Sequence, residues 1–332
     1  MQNIFEYVNN FEICAAVKSS LEYGDTNFIS NPLVSILMPC YTNPDTFRIA
    51  LDSAINQNYT DPYEIVVVDN WDRNSNSPNR LIVEQFASPK VLYYHNEKNL
   101  GMFGNWNRCI ELARSPFVTF LHDDDVLNEN CLSTLMSIQS NTLEKAIFSA
   151  FDIIDKEGVV IRPFSFSKRK WYGLLKARLQ YDLSLFDEIF GCPGCGCGSL
   201  FYRQGLIDIG GYNPAYYPSS DYALDLVYTS KFGAVYNRIC TFNYRVSSEN
   251  ASNRCYKLFP HRNKFLIKCV LGTMFYPRCI KNLLIKNIYK EEVVACSNVW
   301  GKEHLPPFSK SICDKIFFRC IYLIRRLKTY KM

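Results

Sequence analysis

The sequence predicts an α/β protein with a mostly parallel central sheet, followed by a basic and mainly helical C-terminal extension. Three observations lead there. Short apolar runs of strand length alternate with segments whose apolar residues recur at helical spacing, which is the pattern of βαβ units. Three carboxylates, Asp123, Asp124 and Asp125, stand together at the end of one apolar run. The charge is divided: residues 254–332 carry 17 Lys and Arg against 4 acidic residues, whereas residues 1–253 carry 20 against 28.

Residues 1–31 read as a polar, weakly helical preface with little chemistry. Pro32 introduces an apolar run, residues 33–38, that Pro39 ends, as a buried strand requires. Phe47, Ala50, Leu51, Ala54 and Ile55 then fall on one face of a helix starting near Pro44. A second strand, residues 65–68, stops at Asp69 and Asn70. Residues 91–94 and 117–121 supply two more, with helical patterns at 80–86 and 105–113. Sheets of this kind bind ligands beyond the carboxyl ends of their strands, so the polar residues there are the first candidates. From residue 146 the pattern loosens. Residues 147–152 and 159–161 suggest a hairpin turning at Glu157-Gly158. A Gly/Cys-rich stretch, residues 191–198, leads into residues 199–202. The expected division is a preface (1–31), a main domain (32–250) and the basic extension (251–332).

Composition excludes several classes. Hydrophobic residues make up 48% and charged residues 21%, so the chain is not disordered. No apolar run approaches the roughly 20 residues that a bilayer crossing needs. The first residues lack the basic stretch and apolar core of a signal peptide, so a cytoplasmic location is expected. Fourteen irregularly spaced cysteines then read as reduced thiols. Cys192, Cys195 and Cys197 offer three sulfurs where a structural zinc site needs four ligands, and zinc is not expected.

Adjacent carboxylates repel, which raises their pKa values unless a cation is present. Mg²⁺ and Mn²⁺ prefer carboxylate oxygen, and Mg²⁺ commonly bridges one or two carboxylates to substrate phosphates. Asp123 to Asp125 are therefore candidates for a nucleotide diphosphate site. The alternative is an acidic turn at the start of a helix near residues 128–131.

Further motifs surround this cluster in a definite order. They are VSILMPCY (34–41), SAINQNY (53–59), EIVVVD (64–69), NLG (99–101) with Asn107, FLHDDD (120–125), GGY (210–212) and SDY (220–222). The ordered set resembles the family 2 glycosyltransferases of the GT-A fold, over about residues 32–245. The resemblance implies a DxD-type site in which Asp123, Asp124 and Asp125 hold Mn²⁺ or Mg²⁺ against the donor diphosphate. It implies donor contacts from Pro39, Tyr41, Asp69, Asn70, Asn107, Asp123 and Asp124, with Tyr41 stacking on the nucleobase. Asp221 matches the family's catalytic base, and Asp225 is a weaker candidate. Departures bear on donor choice: Asn70 replaces a second carboxylate, Ser220 replaces a Glu, and Trp106 replaces a frequent basic residue. Asp72 and Asn74 stand where the family often has Ser and Asp.

The implied reaction is inverting transfer from a nucleotide-diphosphate sugar, most simply a UDP-sugar, with dTDP and GDP donors left open by the amide at Asn70. The implied acceptor is a hydroxyl of a saccharide or lipid-linked molecule in surface-polysaccharide synthesis. The glycines of 191–198 would let backbone approach that acceptor closely.

A sugar nucleotidyltransferase should show a Gly-rich loop after the first strand, where this chain has Pro39-Cys-Tyr-Thr-Asn-Pro44. A nucleic-acid-binding role for residues 254–331 lacks any accompanying motif, so no nucleic-acid partner is expected. A non-catalytic homologue would not need the carboxylates found here. In residues 312–327 the apolar side chains line one face and Lys315, Arg319, Arg325 and Arg326 the other. That pattern suits an anionic membrane surface, peripheral at the inner face, or packing on the main domain.

Overall fold

The computed structural model describes residues 2–72, 76–164, 179–190, 196–247 and 254–300, with side chains to residue 293. The preface departs from its expected helical character. After a single-turn helix, α1 (Glu12–Ala15), it forms a strand, β1 (Ser19–Tyr23), which closes one edge of the main sheet. An edge strand buries little, and the half-exposed side chains of Ser19–Tyr23 carry no clear period; unpaired backbone groups on the neighbouring strand recruit the segment.

The units that follow alternate as expected: β2 (Val34–Cys40), α2 (Pro44–Ile55), β3 (Tyr63–Asp69), α3 (Pro78–Phe86), β4 (Val91–Asn96), α4 (Gly101–Leu112) and β5 (Phe117–Phe120). Every residue of β2 and β3 is buried, as a parallel sheet covered by helices on both faces requires. The sheet order is β1-β4-β3-β2-β5-β10, with β10 being Phe201–Tyr202; β2 to β5 run parallel and the two edges antiparallel. Cys40 pairs with Asp69, and Asp69 with His95, so three strands end side by side. Leu37 pairs with Phe120, and the Leu121 N–H donates to the Leu37 carbonyl at 2.9 Å. The acidic run therefore leaves the sheet beside the end of β2.

A second sheet is built from β6 (Val126–Leu127), β7 (Ala146–Ile154), β8 (Val160–Arg162), β9 (Gln180–Leu183) and β11 (Ala234–Arg245). Its long strand β11 runs parallel to β7 and antiparallel to β6 and β9. The expected hairpin appears as β7 and β8. Helices α5 (Cys131–Gln139), α6 (Leu185–Glu188), α7 (Arg203–Asp208) and α8 (Ser220–Phe232) complete the main body. The extension adds α9 (Phe259–Thr273) and α10 (Arg278–Trp300).

Two apolar clusters occupy the two faces of the main sheet, with Ile36, Met38 and Ile65 on one and Leu37, Val66 and Val68 on the other. A third joins Ile189, Tyr222 and Leu226 to Leu266, Ile267 and Leu271 of α9. The charge boundary near residue 250 is thus no packing boundary, because α9 shares a core with α8.

The GGY turn is fixed by two close approaches. Gly210 has φ +86°, and a Cβ there would lie 1.9 Å from the Val8 carbonyl oxygen. Gly211 has φ +71°, with its Cβ position 2.5 Å from Asn107 Oδ1. The Asn10 backbone and side-chain N–H groups both donate to the Gly210 carbonyl, which ties the preface to this turn. Gly210→Ala combines left-handed strain with a backbone clash and should destabilise the fold by about 2 kcal/mol or more. Thermal denaturation checks this, and an unchanged midpoint would mean that the preface does not dock on the turn.

Candidate active site

Beyond β5 the chain turns sharply, with the Asp125 N–H donating to the His122 carbonyl at 3.3 Å. The turn separates the three carboxylates. Asp125 is fully buried: Oδ1 accepts the Arg245 N–H at 2.9 Å, and Oδ2 lies 3.2 Å from His122 Nδ1. Asp123 and Asp124 instead line a cleft of about 960 Å³. Asp125 therefore does not face the cleft with the other two carboxylates of the expected metal set, because both of its oxygens serve the turn. The helix of the capping alternative begins at Cys131, as expected, but its N-cap is Asn130 and no acidic residue stands in its first turn.

Burial pushes the Asp123 carboxyl up to about 6, against an opposing hydrogen bond from the Tyr41 N–H. Burial, reinforced by the carboxylates of Asp125 and Asp123, pushes Asp124 up to about 8. Two half-buried like charges side by side are what a divalent cation relieves, and an all-oxygen donor pair suits Mg²⁺ or Mn²⁺.

The first turn of α8 brings Asp221 to the same cleft, where Oδ1 accepts the Tyr222 N–H at 2.8 Å. Burial raises its pKa, partly offset by that hydrogen bond and by His122. Asp225 lies in the interior and does not line the cleft. The His122 ring stacks on Trp106 with centroids 4.7 Å apart. Burial works against its charge, yet the hydrogen bond to Asp125 and the three carboxylates raise its pKa overall.

Pro39, Tyr41, Asn70 and Asn99 line the cleft where β2 and β3 end. The Tyr41 hydroxyl donates to Asp72 at 3.0 Å, and the Asn99 amide donates to the other oxygen of Asp72 at 3.3 Å, so the ring is held from its rim. Asn70 is largely engaged within the protein. Its Oδ1 accepts from Asn96 and the Leu100 N–H, and its Nδ2 donates to the Gly101 carbonyl.

Two expected donor contacts do not reach the cleft. Asp69 is fully buried and accepts from Ser77 (2.5 Å), Tyr93 (2.7 Å), Trp71 N–H (2.9 Å) and Asn79 (3.3 Å). Asn107 is also buried and staples α4 to the GGY turn, accepting from the Tyr212 N–H at 2.7 Å and donating to the Tyr212 carbonyl at 2.9 Å. Spacing places both near a strand or helix end, but their polar atoms are occupied inside.

Sequence reasoning missed Lys156, Arg245 and Arg254, which bring positive charge to the cleft wall. The turn position of Lys156, next to Glu157-Gly158, was the available signal for one of them. Cys192, Cys195 and Asn74 lie outside the described residues. Cys197 is buried, and its sulfur falls within 4.8 Å of ligand atoms of His122 and Asp125. That trio is short of the four ligands of a structural zinc site.

Residues 35–208 match the family described as glycosyl transferase family 2. A curated relative, the Escherichia coli UDP-Glc:alpha-D-GlcNAc-diphosphoundecaprenol beta-1,3-glucosyltransferase WfgD, is 24% identical over 68% of this chain and 81% of its own length. An uncharacterized glycosyltransferase of Methanocaldococcus jannaschii is 27% identical over 48% of this chain and 56% of its own. The chain spans about half the length of that relative. Among solved structures, S. aureus TarS with UDP-GlcNAc superposes with a TM-score of 0.56 at 14% identity, covering 81% of this chain and 73% of TarS. A Pyrobaculum calidifontis mannosyltransferase in complex with GDP-Man and Mn²⁺ gives 0.52 at 14% identity, over 94% and 85%. At these identities the likeness concerns the fold, and the fold is GT-A.

The Asp124 carboxyl, its pKa raised by burial and by the neighbouring carboxylates, must ionise to bind a metal. Mn²⁺ binding should therefore release protons near neutral pH and tighten as pH rises from 6 to 8. Calorimetry in buffers of different ionisation enthalpy measures both. Binding without proton release, or unaltered in Asp124→Asn, would show that the ion sits elsewhere.

Proposed function

Because the chain belongs to glycosyl transferase family 2, we propose that it moves a sugar from a nucleotide-diphosphate donor, a UDP-sugar, to a hydroxyl of a saccharide or lipid-linked acceptor. One observation carries this reading: Asp123, Asp124 and Asp221 line a single cleft together with Tyr41. The Tyr41 ring, braced by Asp72, offers a face on which a pyrimidine stacks. Asp123 and Asp124 would hold a Mg²⁺ or Mn²⁺ ion, which neutralises charge developing on the departing nucleotide diphosphate. Asp221 accepts the proton of the acceptor hydroxyl as its oxygen bonds to the anomeric carbon and the diphosphate leaves with its electron pair. Such a single displacement inverts the anomeric centre and needs no protein nucleophile.

Two relatives support a lipid-linked acceptor. WfgD is named for a diphosphoundecaprenol substrate, and a Campylobacter jejuni relative, 33% identical over 40% of this chain, is named for a PP-undecaprenol one. Surface-polysaccharide synthesis at the cytoplasmic face of the membrane follows from that chemistry. No described helix is long and apolar enough to cross a membrane. The basic extension is the natural site for contact with an anionic surface, although residues 312–327 lie outside the described residues.

Replacing Asp221 by Asn should lower transfer by roughly 10² to 10⁴-fold while UDP binding with Mn²⁺ persists. The test is UDP release from UDP-sugars in the presence of acceptor, beside calorimetry of UDP binding. Loss of UDP binding would move Asp221 into the donor site, and full activity would remove it from the mechanism.

A further inference from the structure

Helices α9 and α10 bury their inner faces well, through Leu266, Ile267, Val270 and Leu271 on one and Leu284 and Ile288 on the other. Their connecting turn does the opposite. Phe275 is fully exposed, and Tyr276, Ile280 and Leu283 are each at least 40% exposed. Ile280 and Leu283 are three residues apart in α10, as are Leu283 and the exposed Lys286, so they are surface neighbours on consecutive turns. Arg278, at the start of α10, and Lys268, near the end of α9, are exposed around the same tip. The charge is one-sided: residues 254–290 contain nine Lys and Arg and no Asp or Glu.

An exposed apolar tip facing water is unfavourable unless something receives it. The chemistry here is an aromatic pair, with the Tyr276 ring 6.0 Å from that of Phe186 in α6, beside aliphatic side chains of α10, in a segment (residues 254–290) whose charged residues are all Lys or Arg. Aromatic rings settle at the headgroup level of a bilayer, and each nearby Lys or Arg is drawn to anionic lipid. We propose that the α9–α10 turn docks on an anionic lipid surface. Phe275, Tyr276, Ile280 and Leu283 enter the interface, while Lys268, Arg278 and Lys286 lie against the headgroups.

This surface is separate from residues 312–327, and it stands independently of the chemistry in the cleft. Phe259 lines the cleft and opens α9, whose 15 residues run about 22 Å to the docking turn, so cleft and turn stand at opposite ends of one helix.

Full-length protein sedimented with vesicles tests the proposal. Binding is expected to vesicles of equal phosphatidylcholine and phosphatidylglycerol, weakened by salt, and not to phosphatidylcholine alone. The double variant Phe275→Ser/Leu283→Ser should bind at least about tenfold more weakly, as should Arg278→Glu/Lys286→Glu. All four positions are exposed, so thermal denaturation should be unchanged and should certify the fold. Wild-type binding by both variants would overturn the proposal and assign attachment to another segment. Failure of the wild type to bind, or equal binding to neutral vesicles, would overturn it as well. So would a dimer that the serine variant dissociates in the absence of any vesicle binding, because the turn would then be a protein interface.

Discussion

The contact between Asp125 and Arg245 is the point on which the site depends. Arg245 closes β11, and its backbone N–H binds Asp125 while its guanidinium binds the carbonyls of Asp124 (2.8 Å), Asp155 (3.0 Å) and Lys156 (2.8 Å). One residue thus ties the acidic turn, the β7–β8 turn and the second sheet together. A buried cation is costly unless its donors are satisfied, and carbonyl oxygens satisfy these. With Asp125 committed to this knot and to His122, Asp123 and Asp124 are left facing the cleft. Consecutive carboxylates would otherwise be free to turn apart and relieve their repulsion. The fold instead holds two of them in partial burial, where their charge becomes most favourable beside a cation.

The opposite wall is set by hydrogen bonds among neutral amides. Asn96 donates to Asn70 at 2.8 Å and to Asn105 at 2.9 Å, and Asn105 donates to the Val68 carbonyl at 2.9 Å. Beside them Asp69 gathers donors from α3, from β4 and from the loop after β3. Strand ends leave backbone groups without ladder partners, and this network absorbs them. Its result is a rigid floor under Tyr41, whose carbonyl accepts from Asn79 at 3.2 Å. A nucleotide bound as proposed would meet a surface already in place, which reduces the ordering that binding requires.

The parallel strands were legible because complete burial writes a short apolar run, as in residues 36–38 and 65–68. The β7–β8 hairpin was legible through its Glu157-Gly158 turn. The edge strand β1 was not, since half-exposed residues such as Ser19, Ser20 and Glu22 leave no period to read. Within the site, spacing located the right segments but not the direction of each side chain. Asp124 and Asp125 are adjacent, yet a single tight turn sends one to the cleft and the other to Arg245. Asp69 and Asn107 show the same limit, because an interior hydrogen-bond hub and a ligand contact draw on the same residue types. The extension misled for a different reason: charge was read as a boundary, whereas α9 is basic outward and apolar inward, so packing continues across residue 250.

The antiparallel strand at the edge of the main sheet also governs how the protein meets other copies of itself. Parallel strands as apolar as β3 and β4 would template cross-chain pairing if one of them stood unprotected. Here β1 covers that side with Ser19, Ser20, Leu21, Glu22 and Tyr23, of which only Leu21 is aliphatic, and the far side ends in the two-residue β10. Neither border of that sheet offers a long, flat, apolar row of free amides and carbonyls, so runaway sheet extension is blocked at both ends. The segment that carries the least chemistry thus gives a sheet rich in Val, Ile and Leu an edge of mixed polarity in place of an apolar one.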